Sequence, residues 1–233
     1  LRQQNYSTTK KKAKSNTPAY KPILAKAIGF PTIITHITAR LKTIKDFIAA
    51  HPSTNFFVVV RAIPTNHFTH VIVVYARVLP ANEDPAFDKL LKRFAEGDDS
   101  YRKERFKYLP QLPTAPFIVK NSLRALGGHR PVLIGNGYLA CHYFTGPNYI
   151  EVDIDISSSS VAKTIANSVV GRSDKVVIDE GFVIEGREED ELPERLLGCH
   201  RFVYCNLKAR TTMVSEADLL PPMPSEEKEE KRK

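Results

Sequence analysis

Three acidic side chains alternate with apolar ones in the segment 149–156, which the alternation predicts to be a β-strand. They are Glu151, Asp153 and Asp155. Side chains two residues apart on a strand point to the same face, so the three carboxylates could converge. Such a row is the best candidate in the chain for a general acid or base, or for a cation site. The alternative, which we favour because the chain has 34 basic residues, is that neighbouring strands supply Arg or Lys and neutralise the row.

Two cysteine–histidine pairs, Cys141-His142 and Cys199-His200, are the candidates for metal ligands. Adjacent residues of a strand point to opposite faces, so neither pair is placed to chelate one ion. The glycines lack the spacing of a phosphate-binding loop, and no nucleophile elbow is present. We therefore expect no metal, no cofactor, no catalytic residue and no enzymatic activity. A hydrolase that uses Asp153 or Asp155 is the minor alternative.

The composition is that of a basic intracellular protein. The net charge of +8 favours an acidic partner, although such charge can also serve solubility alone. The three cysteines are odd in number and lack the spacing of a disulfide framework, which indicates a reducing compartment. The most apolar stretch, 71–79, is far shorter than the roughly 20 residues of a membrane span. The sequence starts at Leu1 rather than Met, as expected for a fragment or for an organelle protein that has lost its transit peptide.

The first 22 residues form a basic arm that contains Lys10, Lys11 and Lys12. Taken alone, such a segment is predicted to be flexible. It carries two tyrosines that could stack on bases, but it lacks arginine clusters and no RNA-binding motif follows, so nucleic acid is not the expected partner. A second basic group surrounds Arg102, where it could meet acidic lipid headgroups or pair with nearby acidic residues.

The periodicity predicts about eight strands and three or four helices. The predicted strands are 56–63, 69–79, 117–123, 131–134, 139–144, 149–156, 175–185 and 201–208. The predicted helices are 30–50, 85–96, 101–108 and 161–170, and Gly97 is placed to end the second of them. Strands mostly follow strands, which indicates an α+β fold with a mostly antiparallel, curved sheet and packed helices. We predict one domain over residues 1–213, followed over residues 214–233 by a tail that is first proline-rich and then charged.

Four segments resemble the C-terminal domain of the plant enhanced-disease-resistance-two family, long catalogued as a domain of unknown function. The segments are FAEGDDSYR (94–102), GPNYIEVDIDI (146–156), SSSVA (158–162) and ELPERLLG (191–198). Their order and spacing fit the family, and the similarity covers residues 1–207, including the basic arm. The family-motif residues are Gly97, Asp98, Asp99, Gly146, Pro147, Asp153, Asp155, Leu192 and Pro193.

The resemblance implies that the arm is an ordered edge of the domain rather than a flexible tail. Long family members carry this domain after a pleckstrin-homology domain and a START lipid-transfer domain. These members are linked to phosphoinositides, membranes and negative control of plant defence and cell death. The resemblance therefore implies a START-like, helix-grip arrangement of the sheet. The chain departs from the family at Ser157 or Ser158, where relatives usually have glycine, and in the polar residues after Val170.

We therefore predict a non-catalytic module that binds a lipid or an anionic membrane surface. The helix 30–50 or the helix 161–170 would close over an apolar ligand, and Lys10, Lys11, Lys12 and Arg102 would meet the lipid headgroup. The alternative is an accessory structural subunit of a large assembly, contacted through the basic arm and the tail. The expected location is the cytoplasmic face of a membrane or, if the missing Met reflects processing, a mitochondrion or another organelle.

Overall fold

The computed structural model describes residues 1–125 and 130–222. The strands are β1 (Tyr20–Phe30), β2 (Phe56–Pro64), β3 (Phe68–Arg77), β4 (Phe106–Thr114), β5 (Val132–Leu133), β6 (Ala140–Gly146), β7 (Tyr149–Asp155), β8 (Val177–Ile184), β9 (Leu196–Val203) and β10 (Thr212–Met213). The helices are α1 (Tyr6–Thr9), α2 (Ile37–Arg40), α3 (Lys42–Ala49), α4 (Pro85–Glu96), α5 (Asp99–Lys103), α6 (Phe117–Ala125), α7 (Ser160–Val170) and α8 (Leu207–Arg210). None of the helices in these ranges combines the length and the apolar character needed to span a bilayer.

All the strands belong to one curled sheet. Its order is β5-β4-β8-β9-β1-β3-β2-β7-β6, and β10 pairs with β1. Most neighbours are antiparallel; the parallel pairs are β1 with β9, β1 with β10, and β2 with β7. The rings of Phe57 on β2 and Phe182 on β8 lie 5.9 Å apart, although three strands separate β2 from β8 in the sheet. Only a strong curl brings these strands face to face, so the predicted α+β fold with a curved, mostly antiparallel sheet is confirmed.

The two faces of the sheet have different cores. On β2, Phe57 and Val59 point to the concave inner face, whereas Phe56, Val58 and Val60 point to the outer face. Helices α2 and α3 cover the outer face with their buried isoleucines. Helix α4 packs its buried apolar side chains into one end of the inner face, and α7 lies over the other end. This arrangement is consistent with a START-like helix grip.

Several predicted elements are confirmed because their local patterns agree with their packing. The hairpin of β2 and β3 runs in continuous register from Phe56 opposite Ala76 to Pro64 opposite Phe68. Helix α4 has the predicted bounds, and strand β7 and helix α7 lie within one residue of theirs. Gly97 follows α4 in an extended conformation, and a Cβ there would lie 2.8 Å from the carbonyl oxygen of Arg93. The close approach, rather than a left-handed turn, is what requires glycine.

The predicted helix 30–50 is wrong at its start. Strand β1 runs through Phe30, and the first helical turn begins at Ile37, after His36 in the left-handed region with φ 54°. An extended Leu41 then separates α2 from α3. The helix lies on the outer face of the sheet, so it is not a lid over an inner-face ligand. The apolar period that predicted the helix correctly identified the buried side chains but not the break between the two helices.

Three other predictions are corrected. The predicted strand 117–123 is α6, whose Val119 packs with Leu112 and Val176. The predicted helix 101–108 ends at Lys103 because residues 106–114 pair with β8 as strand β4. The predicted strand 201–208 is the end of β9 followed by α8.

The basic arm is ordered along the loop between β8 and β9, as the family resemblance implies. The guanidinium of Arg2 donates to the carbonyl of Gly186 at 2.9 Å, and its backbone N–H donates to Glu194 at 2.9 Å. Gln4 donates to the carbonyl of Leu192 at 3.0 Å. After β10, Val214 and Leu219 pack against the outer-face core. The charged end of the predicted tail, from residue 223, lies outside the described residues, and the domain boundary at residue 213 stays a prediction.

Candidate ligand-binding chamber

A cavity of about 230 Å³ lies between α7 and the inner face of the curled sheet. We call it the chamber. Its sheet side includes Ile63, Ile178 and Phe202, and its helix side includes Ala162 and Ala166. This volume is well above the roughly 10–15 Å³ that one water molecule needs. It is slightly smaller than the roughly 300 Å³ at which pockets for drug-sized ligands begin.

The inner face is built in three layers because inward side chains recur every second residue along each strand. The deepest layer is aromatic: the rings of Phe106 and Phe182 stack at 5.6 Å, and Phe57 packs on both. A polar layer follows one inward position further along β4 and β8 and two inward positions further along β2, beyond Val59. It contains Arg61, Tyr108 and Glu180. The next step is apolar and lines the chamber. The polar layer is therefore the floor of the chamber.

Hydrogen bonds tie this floor together. Arg61 Nη1 pairs with Glu180 Oε2 across the interior of the curl. Glu180 also accepts from the Tyr108 hydroxyl at 2.5 Å and from His200 Nε2 at 2.8 Å. His200 Nδ1 in turn lies 2.6 Å from the hydroxyl of Tyr75.

The charges of the floor follow from these contacts. Burial acts to raise the pKa of Glu180, but the charge of Arg61 and the hydrogen bond from His200 hold that pKa far below its usual value. Burial raises the pKa of Tyr108 well above its usual value, so its hydroxyl stays protonated and donates a hydrogen bond to Glu180. The floor thus contains an ionised Glu180 paired with a cationic Arg61.

Arg61 keeps hydrogen-bonding capacity that the described residues do not use. Its Nε and Nη2 atoms are buried, and neither donates to an acceptor within the described part of the chain. The guanidinium carbon lies 5.8 Å from the centre of the Phe202 ring, which is the distance of a cation–π contact. Sequence reasoning missed this residue. The available signal was that Arg61 is the one charged residue in the apolar run 56–63.

The acidic row of β7 has a different role from the one that the sequence suggested. Glu151 is fully buried and accepts from the backbone N–H groups of Ile37 at 2.6 Å and Thr38 at 2.8 Å. Asp153 accepts from the backbone N–H of His36 at 2.8 Å. These carboxylates hold the N-terminus of α2, where the helix dipole favours negative charge. The expected neutralisation by arginine or lysine side chains is thus replaced, for these contacts, by backbone donors.

The third acid of the row, Asp155, and the candidate metal ligands also lie in structural contacts. Asp155 accepts from the backbone and the hydroxyl of Ser157, at 2.7 and 2.6 Å, and stabilises the turn before α7. Cys141 is buried in the inner core, and His200 belongs to the chamber floor. Within the described ranges, no group of three or more His, Cys, Asp or Glu side chains is arranged to hold a metal ion.

The basic residues predicted to meet a headgroup lie away from the chamber. Lys10, Lys11 and Lys12 are exposed on the arm, and the Lys10 ammonium lies 5.5 Å from the centre of the Tyr6 ring. Arg102 donates to the last carbonyls of α4, at 2.9 Å to Phe94 and 2.6 Å to Ala95, and pairs with Asp99 at 3.1 Å. None of these four residues is part of the chamber lining in the described chain. Their contact with a headgroup stays a prediction.

The family-motif residues form turns, caps and contacts of the arm. Asp98 caps α5 by accepting from the backbone of Tyr101 at 2.7 Å. A Cβ on Gly146 would overlap the Tyr149 ring, so only glycine fits where Pro147 begins the turn from β6 to β7. Leu192, next to Pro193, is buried, and its carbonyl holds the arm through Gln4. As described, the chamber lining contains none of the nine motif residues.

Four exposed apolar side chains lie on α6, on α7 and in the segment before β6. They are Phe117, Ile118, Tyr138 and Val161, with exposed fractions from 50% to 76%. We call them the apolar rim. Tyr138 lines the chamber, Val161 precedes the lining residue Ala162 on α7, and the other two lie on α6, which contacts α7. The side chains of Lys120 and Lys163 on the same two helices are exposed.

Comparisons with known proteins agree with the resemblance seen in the sequence. The family model described as Protein ENHANCED DISEASE RESISTANCE 2, C-terminal, matches residues 1–206. A curated relative, Protein ENHANCED DISEASE RESISTANCE 2-like from Arabidopsis thaliana, is 37% identical over 120 residues, which are 52% of this chain and 16% of the relative. The matched part is thus a small share of that relative's length. No solved structure gives a significant match. The chain belongs to the enhanced disease resistance 2 C-terminal domain family.

Proposed function

We propose that this domain binds one small amphiphilic lipid in the chamber beneath α7, without catalysing a reaction. The observation that carries the proposal is the apolar cavity of about 230 Å³ between the helix and the curled sheet. Transfer of an apolar ligand from water into the chamber is favourable by about 25 cal/mol for each Å² of apolar surface that becomes buried. The curled sheet with packed helices is compatible with a START-like domain that binds lipid.

The volume of the chamber limits the ligand. A cavity slightly smaller than the pockets of drug-sized ligands holds one short acyl chain or the buried part of a longer one. A phospholipid with two long chains exceeds this space several-fold. We therefore propose a single-chain or otherwise compact lipid, of which any excess length extends past the apolar rim.

The roles of the acidic side chains Asp153, Asp155 and Glu180 support binding without chemistry. Asp153 and Asp155 use their oxygens to hold backbone N–H groups. Glu180 faces the chamber, but its pKa is far below the range of an effective general acid or base near neutral pH. Its contacts suit the positioning of Arg61 better than proton transfer.

The apolar rim supports contact with an anionic membrane. Its four side chains present apolar surface, and one of them, Tyr138, also lines the chamber. Lys120 on α6 and Lys163 on α7 add positive charge. Membrane surfaces attract this combination of apolar groups and basic residues. The ligand would then pass between the bilayer and the chamber on the side where the protein touches the membrane.

Mass spectrometry of the lipid extracted from the purified full chain tests the proposal. We expect about one equivalent of a small lipid in the wild type. Ala166→Phe fills the chamber from α7 and should abolish the bound lipid. Ala49→Phe adds the same atoms at an exposed position of α3, on the opposite face of the sheet, and should retain it. A lipid-free wild type, or equal amounts of lipid in both variants, would contradict the proposal.

A further inference from the structure

The chamber floor presents one unsatisfied hydrogen-bonding edge. Nη1 of Arg61 is used by Glu180, whereas Nε and Nη2 are buried and donate to nothing in the described residues. A guanidinium is planar, and its Nε and Nη2 donors point side by side along one edge. A buried donor without an acceptor is costly, so this edge is a site for acceptor oxygens.

The charge around the floor selects the kind of oxygen. Glu180 already neutralises Arg61, and Arg61 is the only lysine or arginine among the described residues that line the chamber. A ligand carboxylate would add a negative charge beside Glu180 without a further cation to balance it. A carbonyl or ester oxygen accepts the same hydrogen bonds and leaves the floor neutral.

We infer that the Nε–Nη2 edge of Arg61 binds the uncharged carbonyl or ester group of the lipid, with its apolar chain lying in the chamber above. This inference rests on the proposed function and specifies its ligand. The polar group of the lipid is then the end that enters most deeply, because Arg61 lies in the layer next to the aromatic core. The chain contacts the alanines of α7 and points toward the apolar rim.

The alternatives are a lipid with an uncharged polar group and a lipid with a carboxylate. Calorimetric titration of small ligands of each kind into the lipid-stripped full chain at pH 8 distinguishes them. Methyl hexanoate is a neutral ester, and heptanoate is its isomer with a charged carboxylate. Butylbenzene has a similar size but lacks a carbonyl. We expect the ester to bind at least tenfold more tightly than heptanoate, since the carboxylate must be buried beside Glu180.

The variant Arg61→Lys keeps a cation for Glu180 but removes the two-donor edge. It should weaken the ester at least tenfold, the effect of one hydrogen bond from a charged donor, and leave butylbenzene unchanged. The double variant Arg61→Met with Glu180→Gln removes the edge without leaving a buried charge, and it retains an acceptor for Tyr108. This double variant should also bind the ester more weakly and butylbenzene unchanged, and it replaces the lysine variant if that variant folds poorly.

The outcomes distinguish this inference from the proposed function. If butylbenzene binds the wild type but Arg61→Lys binds the ester as tightly as the wild type does, the inference fails and the proposed function stands. Heptanoate binding as tightly as the ester, or more tightly, would also overturn the uncharged ligand. If neither the ester nor butylbenzene binds the wild type, the proposed function fails, and the inference fails with it.

Discussion

The two faces of the sheet differ in how completely their buried charged side chains are hydrogen-bonded. On the outer face, the oxygens of Glu151 accept from two backbone N–H groups of α2, and the space around them is filled by the outer core. On the inner face, Glu180 pairs with Arg61, but two guanidinium nitrogens are left without a partner among the described residues, and a cavity lies above them.

The contrast separates a structural role from a binding role. A buried acid whose hydrogen bonds all stabilise a helix end contributes to the fold. A buried cation that retains donors beside an apolar cavity costs stability in the empty protein and offers a site to a ligand. The acidic row is the more conspicuous feature of the sequence, yet the single arginine of β2 is the better candidate for function.

The largest expected effect is the loss of the outer-face acid. Glu151→Ala leaves the N–H groups of Ile37 and Thr38 buried without their acceptor. Hydrogen bonds to charged groups are each worth about 1.5–3 kcal/mol, so the free energy of unfolding should fall by about 4 kcal/mol in chemical denaturation. Asp155→Ala removes a partly exposed cap and should cost about 1 kcal/mol. Equal losses for the two variants would contradict a special role of the outer face.

The second effect is a pH dependence that also belongs to the outer face. Burial lowers the pKa of His70 to about 4, and its Nε2 accepts from the backbone N–H of Ile34 at 3.1 Å. An unfolded histidine has a pKa of about 6.5, so the unfolded state takes up a proton that the folded state refuses. The stability is complete above pH 6.5 and is lost as the pH falls from 6.5 toward 4. Between pH 7 and 5 this loss is about 2 kcal/mol.

The free energy of unfolding of His70→Gln, measured by chemical denaturation at each pH, should not show this fall toward pH 5. Glutamine can accept the hydrogen bond from Ile34 without binding a proton. The exposed His51 gives the control, and His51→Gln should follow the wild type at each pH. Parallel curves for the wild type and His70→Gln would show that the His70 site is not the cause.

The smallest expected effect concerns contact with membranes. Ile118→Asp places a charge in the apolar rim and should weaken sedimentation with anionic vesicles about fivefold, or about 1 kcal/mol. Ile23→Asp changes the same residue type at a similar exposure on β1, 48% against 53%, and should leave sedimentation unchanged. Equal weakening by the two variants would indicate a general charge effect rather than contact through the rim.

Local pattern was sufficient for the elements whose packing is also local. The alternation in β7 and the apolar face of α4 are patterns within one element each, and both elements were predicted from the sequence. Strand β1 was missed because its lysines, proline and alanines lack the β-branched pattern, and its position between β3 and β9 comes from distant pairing. The apolar start of α6 suggested a strand because the sequence does not show that Phe117 and Ile118 are exposed.

The chamber floor could not be predicted from sequence spacing. Arg61, Tyr108 and Glu180 lie on three strands that face each other only because the sheet curls. A charged residue inside an apolar strand run indicates that something unusual surrounds it, but it does not name its partner. Helix α7 lies over the inner-face chamber, whereas residues 30–50 cover the outer face, and closure of α7 over a ligand stays a prediction.

The central claim is that the inner face holds an apolar ligand beneath α7. The most direct measurement is calorimetric titration of butylbenzene into the lipid-stripped wild type and into Ala166→Phe. The chamber predicts binding of one molecule to the wild type and none to the variant, with both proteins folded by circular dichroism. Absence of binding to the wild type, or the same binding to both proteins, would contradict the claim.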